Sequence, residues 1–218
     1  ILNEMFIRSK FHFGTADERE LAGKMIDAVA QDVYYKDEPQ IWIFDRGFPS
    51  LSLIQKLLEH RLYFVMRVSS SFLKEVNAFR KSKYVDRVIH IEYSERRATQ
   101  NHVHSDGISQ FDLRCVRVKL PSGEDEILVT NLDRKDFPKR DIKEIYRLRW
   151  GIETGFNYLK NAVFVEEFVS KTENGLAQDY FVSLLVYNFA TCICGSMYPN
   201  IPKKENTSTR SIEELPPD

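Results

Sequence analysis

The sequence predicts an α/β fold in which a strand–helix–strand unit is followed by a mostly β insertion and then by two long helices. Residues 41–44 (IWIF) form a short continuous apolar run, which is typical of a central strand covered on both faces. Residues 63–68 (YFVMRV) form a second β-prone run after a helical segment, and this order predicts a parallel βαβ unit. Residues 69–123 instead contain short alternating stretches, which are typical of antiparallel strands.

The composition describes a globular chain whose contacts with nucleic acid, if it makes any, are local. The 218 residues are 43% hydrophobic and 29% charged, which is enough for one substantial core, and the formal net charge is −1. A dedicated DNA-binding domain is often strongly basic. Any contact with DNA must therefore come from a restricted surface.

The cysteines and the longest apolar run indicate an intracellular globular protein. Cys115, Cys192 and Cys194 predict neither a disulfide framework nor a zinc site, and a reducing cytoplasm is their natural setting. Residues 181–197 are strongly apolar but are interrupted by polar side chains such as Asn188. We expect a buried helix there and not a membrane span.

The first elements have clear start signals. Residues 1–14 carry apolar side chains partly at period 2, which predicts a strand. Thr15 and Glu18 form a capping box, which predicts a helix over residues 16–31. Ser50 is placed to cap the helix between the two β-prone runs.

The insertion is predicted to contain a hairpin and a basic edge. Residues 85–93 and 111–120 alternate, and a turn at Pro121–Glu124 leads into residues 126–132. Its basic side chains are Lys74, Arg80, Lys81, Lys83, Arg87, Arg96 and Arg97. A surface beside DNA and a charged edge that discourages strand pairing explain these residues equally well.

Residues 141–163 predict a helix with two distinct arcs. The apolar arc contains Ile145, Ile152, Phe156, Leu159 and Val163. The polar arc contains Tyr146, Arg149, Glu153, Asn157 and Lys160. A carboxylate between cationic side chains suits a hard cation and the phosphates of a nucleic acid. For the charges alone, a solvated face with intrahelical ion pairs is the more common explanation.

The spacing Y-x2-R-x3-E-x6-K along that arc resembles the YREK signature of bacterial insertion-sequence transposases of the insertion sequence four family. Residues 43–50 (IFDRGFPS) resemble the segment around the second catalytic Asp of these transposases, and residues 170–189 resemble the helix after their last carboxylate. The resemblance covers about residues 1–200. It implies an RNase H-like core interrupted by a mostly β insertion.

The resemblance also implies a division of the chain. The catalytic core would comprise residues 1–68 and 124–200, with the β-rich insertion at 69–123. Residues 201–218, rich in polar and charged side chains, are expected to be a flexible tail.

The resemblance implies a DDE transposase that cuts and joins DNA at insertion-sequence ends. Asp45 and Glu153 would bind the catalytic Mg²⁺ (or Mn²⁺), and two such ions would activate the nucleophile and stabilise the leaving oxygen. The residues implied to contact DNA are Tyr146, Arg149 and Lys160 on the phosphates and Arg46 beside the metal site. Without this resemblance, an Asp before Arg-Gly would be interpreted as a turn residue. Trp150, outside the polar arc, is expected in the core.

The implied partners are the transposon ends, the target DNA and further transposase copies in a synaptic complex. No membrane is implied, and the implied location is the bacterial cytoplasm, or the nucleoid when the protein is bound to DNA. The third carboxylate of the family lies on an earlier strand, and Asp17 and Asp27 cannot replace it because both are predicted on the first helix. We therefore expect the chain as given to be inactive on its own. The alternative is a non-catalytic remnant that binds DNA or a sister transposase.

Overall fold

The computed structural model describes residues 5–12, 17–92, 110–119, 123–151, 153, 155, 157 and 170–197. They divide into two compact units. One unit runs from Asp17 to Arg147, and the other combines residues 5–12 with the described residues from Leu148 onwards.

The first unit alternates helices and strands in the order α1 (Glu18–Ala30), β1 (Ile41–Phe44), α2 (Leu51–Glu59), β2 (Tyr63–Arg67), α3 (Lys74–Lys81), β3 (Asp86–Glu92), β4 (Gln110–Lys119), β5 (Asp125–Thr130) and α4 (Lys139–Arg147). The second unit contains α5 (Glu173–Met197).

One mixed sheet organises the first unit. Its strand order is β1-β2-β5-β4-β3, with β1 parallel to β2 and the other neighbours antiparallel. The predicted βαβ unit is therefore confirmed. The prediction that residues 41–44 form a central strand is wrong within the described sheet, because β1 lies at its edge. Its residues are nevertheless all apolar because Trp42 packs on one face of the sheet and Ile43 on the other.

Helices cover both faces of this sheet and produce a three-layer arrangement. Phe64 and Met66 on β2 face a core shared with α1, α2 and α3. Val65, between them in sequence, faces the opposite core, to which α4 contributes Ile142 and Ile145. This alternation is the period-2 pattern of a strand buried on both sides.

The strands predicted as an insertion extend the same sheet. β3 and β4 pair in the predicted antiparallel sense, and β4 pairs with β5. In the hairpin between β4 and β5, Gly123 has φ +89°, a conformation that glycine adopts without strain. The limits of a separate insertion at 69–123 stay a prediction.

Helix α3 was not predicted, although it lies in the segment expected to be β-rich. Its amphipathic signal consists of only Val76 and Phe79, which are both buried. The Arg117 guanidinium on β4 donates to the carbonyls of Phe79 and Arg80 and thereby satisfies the end of α3. Arg117 is far away in sequence, so this stabilisation cannot be predicted from the helical segment itself.

The helix starts are close to the predicted ones. Ser50 caps α2, and its hydroxyl accepts a hydrogen bond from Leu53 N at 3.2 Å. Asp17 is the N-cap of α1 and accepts from Arg19 N at 2.9 Å. Thr15, the predicted cap, lies outside the described residues.

In the second unit, the predicted N-terminal strand is absent from residues 5–12. The reason is that the Asn188 side chain on α5 forms the backbone hydrogen bonds of Phe6 that a neighbouring strand would otherwise form. Its Oδ1 accepts from Phe6 N at 2.8 Å, and its Nδ2 donates to the Phe6 carbonyl at 2.7 Å. Phe11 packs against Tyr180 of the same helix.

Helix α5 is only partly buried, which differs from the buried helix that we expected. Leu184 and Tyr187 pack in the core of the second unit, where Phe6 contacts them. Its exposed large apolar side chains are Phe181, Val182, Leu185, Val186, Phe189 and Ile193. No helix among the described residues has the length and apolarity that crossing a bilayer requires.

Candidate active site

Asp45 follows β1 directly, at the end of the sheet where parallel α/β folds bind ligands. It also begins a turn, because its carbonyl accepts a hydrogen bond from Phe48 N at 3.1 Å. Arg19 of α1 fixes this turn by donating from Nε to the Gly47 carbonyl at 2.7 Å. The turn role and a functional role are compatible, since the Asp45 side chain remains 42% exposed.

Tyr146 brings α4 to the Asp45 turn. Its hydroxyl donates to Asp45 Oδ1 at 3.1 Å, although the two residues are 101 positions apart in sequence. The Tyr146 ring is packed in the α4 core and is only 8% exposed. The rigid packing of α4 therefore fixes a hydrogen-bond donor at the Asp45 carboxylate.

Two further charged residues lie at this site, and our sequence reasoning missed both. Arg67 ends β2, the strand parallel to β1, and its Nη1 is 3.8 Å from Asp45 Oδ1. Its Nη2 forms a close ion pair with Glu126 Oε1, a contact without an aligned hydrogen bond. The signal that could have revealed Arg67 is topological: the carboxyl ends of two parallel neighbouring strands meet at one edge of the sheet.

Two further arginines, Arg46 and Arg80, are close enough to each other to interact electrostatically. Arg46 is exposed, whereas Arg80 of α3 is partly buried and donates to the carbonyls of Val68 and Ser69. Burial, and then the positive charges of Arg117 and Arg46, lower the pKa of Arg80 from its usual value. Arginines and carboxylates therefore lie together in this part of the first unit, where the charge of Glu126 acts on Arg80 in the opposite sense.

The predicted continuous helix over residues 141–163 is wrong. Helix α4 ends at Arg147, residues 148 and 149 form a turn, and the described residues 150, 151, 153, 155 and 157 are helical again. The turn is closed by Gly151 N, which donates to the Leu148 carbonyl three residues earlier. Glycine is a poor helix former, and the apolar spacing on either side concealed this interruption.

The break divides the predicted polar arc between the two units. Tyr146 belongs to the first unit, and Arg149, Glu153 and Asn157 belong to the second. Lys160 lies outside the described residues. The proximity of Glu153 to Asp45 therefore stays a prediction.

Within the second unit, Arg149 and Glu153 are directly paired. Arg149 Nη1 donates to Glu153 Oε1 at 2.6 Å, with the side chains 13% and 47% exposed respectively. The Arg149 guanidinium also lies over the Trp150 ring, 5.5 Å from its centroid. Trp150 is 62% exposed, so the expectation that it lies in the core is wrong.

No group of three metal-ligating side chains comes together within the part of the chain that the structure describes. Asp45 offers hard oxygen atoms at a half-exposed position, which suits Mg²⁺ chemically as one ligand of a larger set. Glu126, another carboxylate at this end of the sheet, is already paired with Arg67.

Comparison with known proteins gives this geometry a family context. Residues 2–189 match the model of the transposase DDE domain. The chain is 26% identical over 149 residues to putative transposase y4zB of Sinorhizobium fredii, an alignment covering 67% of this chain and 40% of the relative. It is 22% identical over 182 residues to the putative transposase for insertion sequence element IS4SA of Synechocystis, with 81% and 46% coverage.

A third relative is the probable transposase for insertion sequence element IS5377 of Geobacillus stearothermophilus, 22% identical over 180 residues with 79% and 43% coverage. The chain thus spans less than half the length of these curated relatives. Because the family model matches most of the chain, including the Asp45 turn and the segment from Tyr146 to Glu153, this protein belongs to the transposase DDE domain family.

Proposed function

We propose that this chain supplies part of a transposase active site for metal-dependent cleavage and strand transfer at insertion-sequence ends. The observation that carries the proposal is the hydrogen bond from Tyr146 to Asp45. It joins the first residue of the YREK spacing to the Asp of the D-R-G turn, two motifs that the sequence keeps a hundred residues apart. The proposed framework for these motifs is an RNase H-like core.

In this proposal Asp45 and Glu153 hold Mg²⁺ or Mn²⁺. When bound, the cation would lower the pKa of an attacking water or 3′-hydroxyl and neutralise charge on the phosphodiester. Asp45 is supported by its place after β1 and its half-exposed carboxylate. Tyr146 orients that carboxylate by donating a hydrogen bond to its Oδ1.

Arg149 has two consecutive roles in the proposal. Its ion pair with Glu153 neutralises that carboxylate when no cation is held there. With a cation at Glu153, the guanidinium would be available to a DNA phosphate, for which its planar donors are suited. We further propose that Arg46 and Lys160 contact the DNA backbone.

The matched test compares Arg149→Ala with Arg147→Ala. Both variants remove one positive charge from neighbouring positions, but Arg147 is exposed and pairs only with Glu144 among the contacts described. The DNA probe is the inverted repeat that flanks the reading frame, and affinity is measured at several salt concentrations. We expect Arg149→Ala alone to weaken binding and to reduce the salt slope by about one. Equal effects of the two variants would contradict a phosphate contact at Arg149.

We also propose that residues 1–218 do not cut DNA without additional carboxylate ligands. Asp45 and Glu153 supply two negative charges, whereas two divalent cations bring four positive ones, so cation binding is expected to be weak. The test is incubation of the chain with Mg²⁺ and its own inverted repeat. Cleavage that Asp45→Ala abolishes would refute this part of the proposal.

The proposed partners are the element ends, target DNA and further transposase copies, in the bacterial cytoplasm.

A further inference from the structure

The segment that leads from α3 into β3 concentrates positive charge that has no role in the site described so far. Residues 74–87 contain five Lys or Arg residues and two Asp or Glu residues, in a chain whose formal net charge is −1. Lys81, Lys83 and Arg87 are exposed, and within the part of the chain that the structure describes they form no ion pair. These three residues form the α3–β3 cationic surface. Lys81 and Lys83 precede β3, which begins at Asp86, so protection of a strand edge does not account for them.

Hydrogen bonds hold the backbone of this connection in place. Ser82 Oγ donates to the Phe79 carbonyl at 2.6 Å and accepts from Tyr84 N at 3.2 Å. The guanidinium of Arg117 on β4 donates to the carbonyls of Ser82 and Tyr84 at 3.0 and 3.3 Å. Arg87 is braced as well, because its guanidinium lies 4.6 Å from the centroid of the exposed Tyr84 ring. The cations are therefore presented by an ordered surface, which lowers the entropic cost of binding a partner.

The register of the sheet places this surface at the same end as Asp45. One row of aligned residues crosses the sheet through Arg67 on β2, Leu128 on β5, Val116 on β4 and Asp86 on β3. Asp45 begins this row at the β1 edge, because Phe44 and Met66, the residues before Asp45 and Arg67, are paired. Neighbouring strands lie about 4.8 Å apart, so the four steps from β1 to β3 separate the two ends of the row by about 19 Å.

Two carboxylates beside the cationic surface are already balanced by arginines. Asp86 pairs with Arg114 and Arg134, and Asp125 pairs with Arg117. These two acidic residues therefore add little repulsion against a polyanion that approaches the three exposed cations. Lysine and arginine side chains arranged in this way contact phosphates, and such contacts position DNA without reading its sequence.

We propose that the α3–β3 cationic surface binds the backbone of double-stranded DNA about six base pairs from the phosphodiester that is cut beside Asp45. The inference rests on the proposed function in one respect, the cutting of DNA at the end of the sheet where Asp45 lies. A duplex rises about 3.4 Å per base pair, so about 19 Å corresponds to about six base pairs. A duplex that lies along the row from Asp45 to Asp86 contacts the cleavage site and the cationic surface together.

The experiment measures the salt dependence of binding to two duplexes of identical sequence and length, both centred on the element end. One duplex carries all its phosphates, and the other has uncharged methylphosphonate linkages from about four to about eight base pairs on either side of the end. The test variant is Lys81→Gln/Lys83→Gln/Arg87→Gln. It should reduce the salt slope by about two to three on the fully charged duplex, because each lost phosphate contact lowers the slope by about 0.9. On the neutralised duplex the slope should change by less than about one, since these contacts are already absent.

The matched control removes three other exposed lysines, in the variant Lys135→Gln/Lys139→Gln/Lys143→Gln. Lys139 and Lys143 lie on α4, which packs on the opposite face of the sheet from α3. The control changes the net charge by the same amount as the test variant. We expect it to change the slope on either duplex by less than about one.

The possible outcomes separate this inference from the proposed function. Equal slope changes for the two triple variants would show an effect of net charge alone and would overturn the inference. A loss of slope that is as large on the neutralised duplex would place the contact elsewhere on the DNA and would also overturn it. If Arg149→Ala reduces the slope and the test variant does not, this inference alone is refuted. Failure of the unmodified chain to bind the charged duplex would refute the inference and the proposed function together.

A second variant decides the question if thermal melting shows that the test variant does not fold. Lys81→Gln/Lys83→Gln keeps Arg87 and its contact with the Tyr84 ring. It should still reduce the slope on the fully charged duplex by about one to two. An unchanged slope in this folded variant would contradict the inference.

Discussion

Replacing Tyr146 by Phe tests how strongly α4 is coupled to the Asp45 turn. The substitution removes one hydroxyl and keeps the ring that packs in the α4 core. A hydrogen bond to a charged group contributes about 1.5–3 kcal/mol. The Asp45 side chain is 42% exposed, so solvent reduces this contribution, and we expect Tyr146→Phe to lower the free energy of unfolding by about 1 kcal/mol.

The assay is urea denaturation of the single variants Tyr146→Phe and Asp45→Ala and of the double variant. If the 3.1 Å contact carries the effect, the two substitutions should be coupled by about 1 kcal/mol, and Tyr146→Phe should change little once Asp45 is Ala. Tyr146→Ala is the control for packing and should cost about 3 kcal/mol or more, because the buried ring is lost. A coupling energy near zero would refute the conclusion that Tyr146 orients Asp45.

Three further predictions concern the first unit. Burial would raise the pKa of Asp86, but hydrogen bonds from Arg114 and Arg134 outweigh burial and hold this pKa below its usual value. The ionised Asp86 therefore stabilises the folded state above about pH 4, and this stabilisation is lost as the pH falls through the lowered pKa. Asp86→Asn should therefore flatten the acid limb of stability measured by urea denaturation between about pH 2 and 5, and an unchanged slope would contradict this. Burial, and then the charge of Asp86, raise the pKa of Cys115 to about 12. Its thiol should therefore not react with a thiol reagent until the chain unfolds. Rapid labelling of the native protein, mapped to Cys115 by mass spectrometry, would contradict this prediction. A Cβ at Gly47 would meet nothing within 4 Å, so Gly47→Ala should change the free energy of unfolding by no more than about 1 kcal/mol. A loss of DNA affinity in the same variant would indicate that the DNA backbone approaches Gly47 closely.

Local signals were sufficient to predict the βαβ unit. The Ser50 cap and the two apolar runs are contained within short stretches of sequence, and the structure places a helix between two parallel strands there. Residues 5–12 show the limit of such signals. Their alternation suits a strand, but the Asn188 side chain satisfies the backbone of Phe6 from the distant helix α5.

The candidate site was predicted only in part because much of it depends on strand register. Asp45 and Tyr146 could be identified from their motifs, and the structure brings them together. Arg67 and Glu126 look like ordinary strand residues in sequence. They meet because β2 and β5 are antiparallel neighbours, with Arg67 paired to Leu128 in the sheet. The break at residues 148–149 was concealed by apolar spacing that continues on both sides of Gly151.

The central proposal is that Asp45 and Glu153 bind the same metal centre, and iron-directed backbone cleavage tests it most directly. Fe²⁺ replaces Mg²⁺, and added hydrogen peroxide and ascorbate generate hydroxyl radicals at the bound ion, which cut the polypeptide near its ligands. We predict cuts near both Asp45 and Glu153, suppressed by excess Mg²⁺, with Asp45→Asn and Glu153→Gln each reducing both cuts. Cutting at only one of the two segments, or cutting near Glu153 that persists unchanged in Asp45→Asn, would contradict a shared metal site.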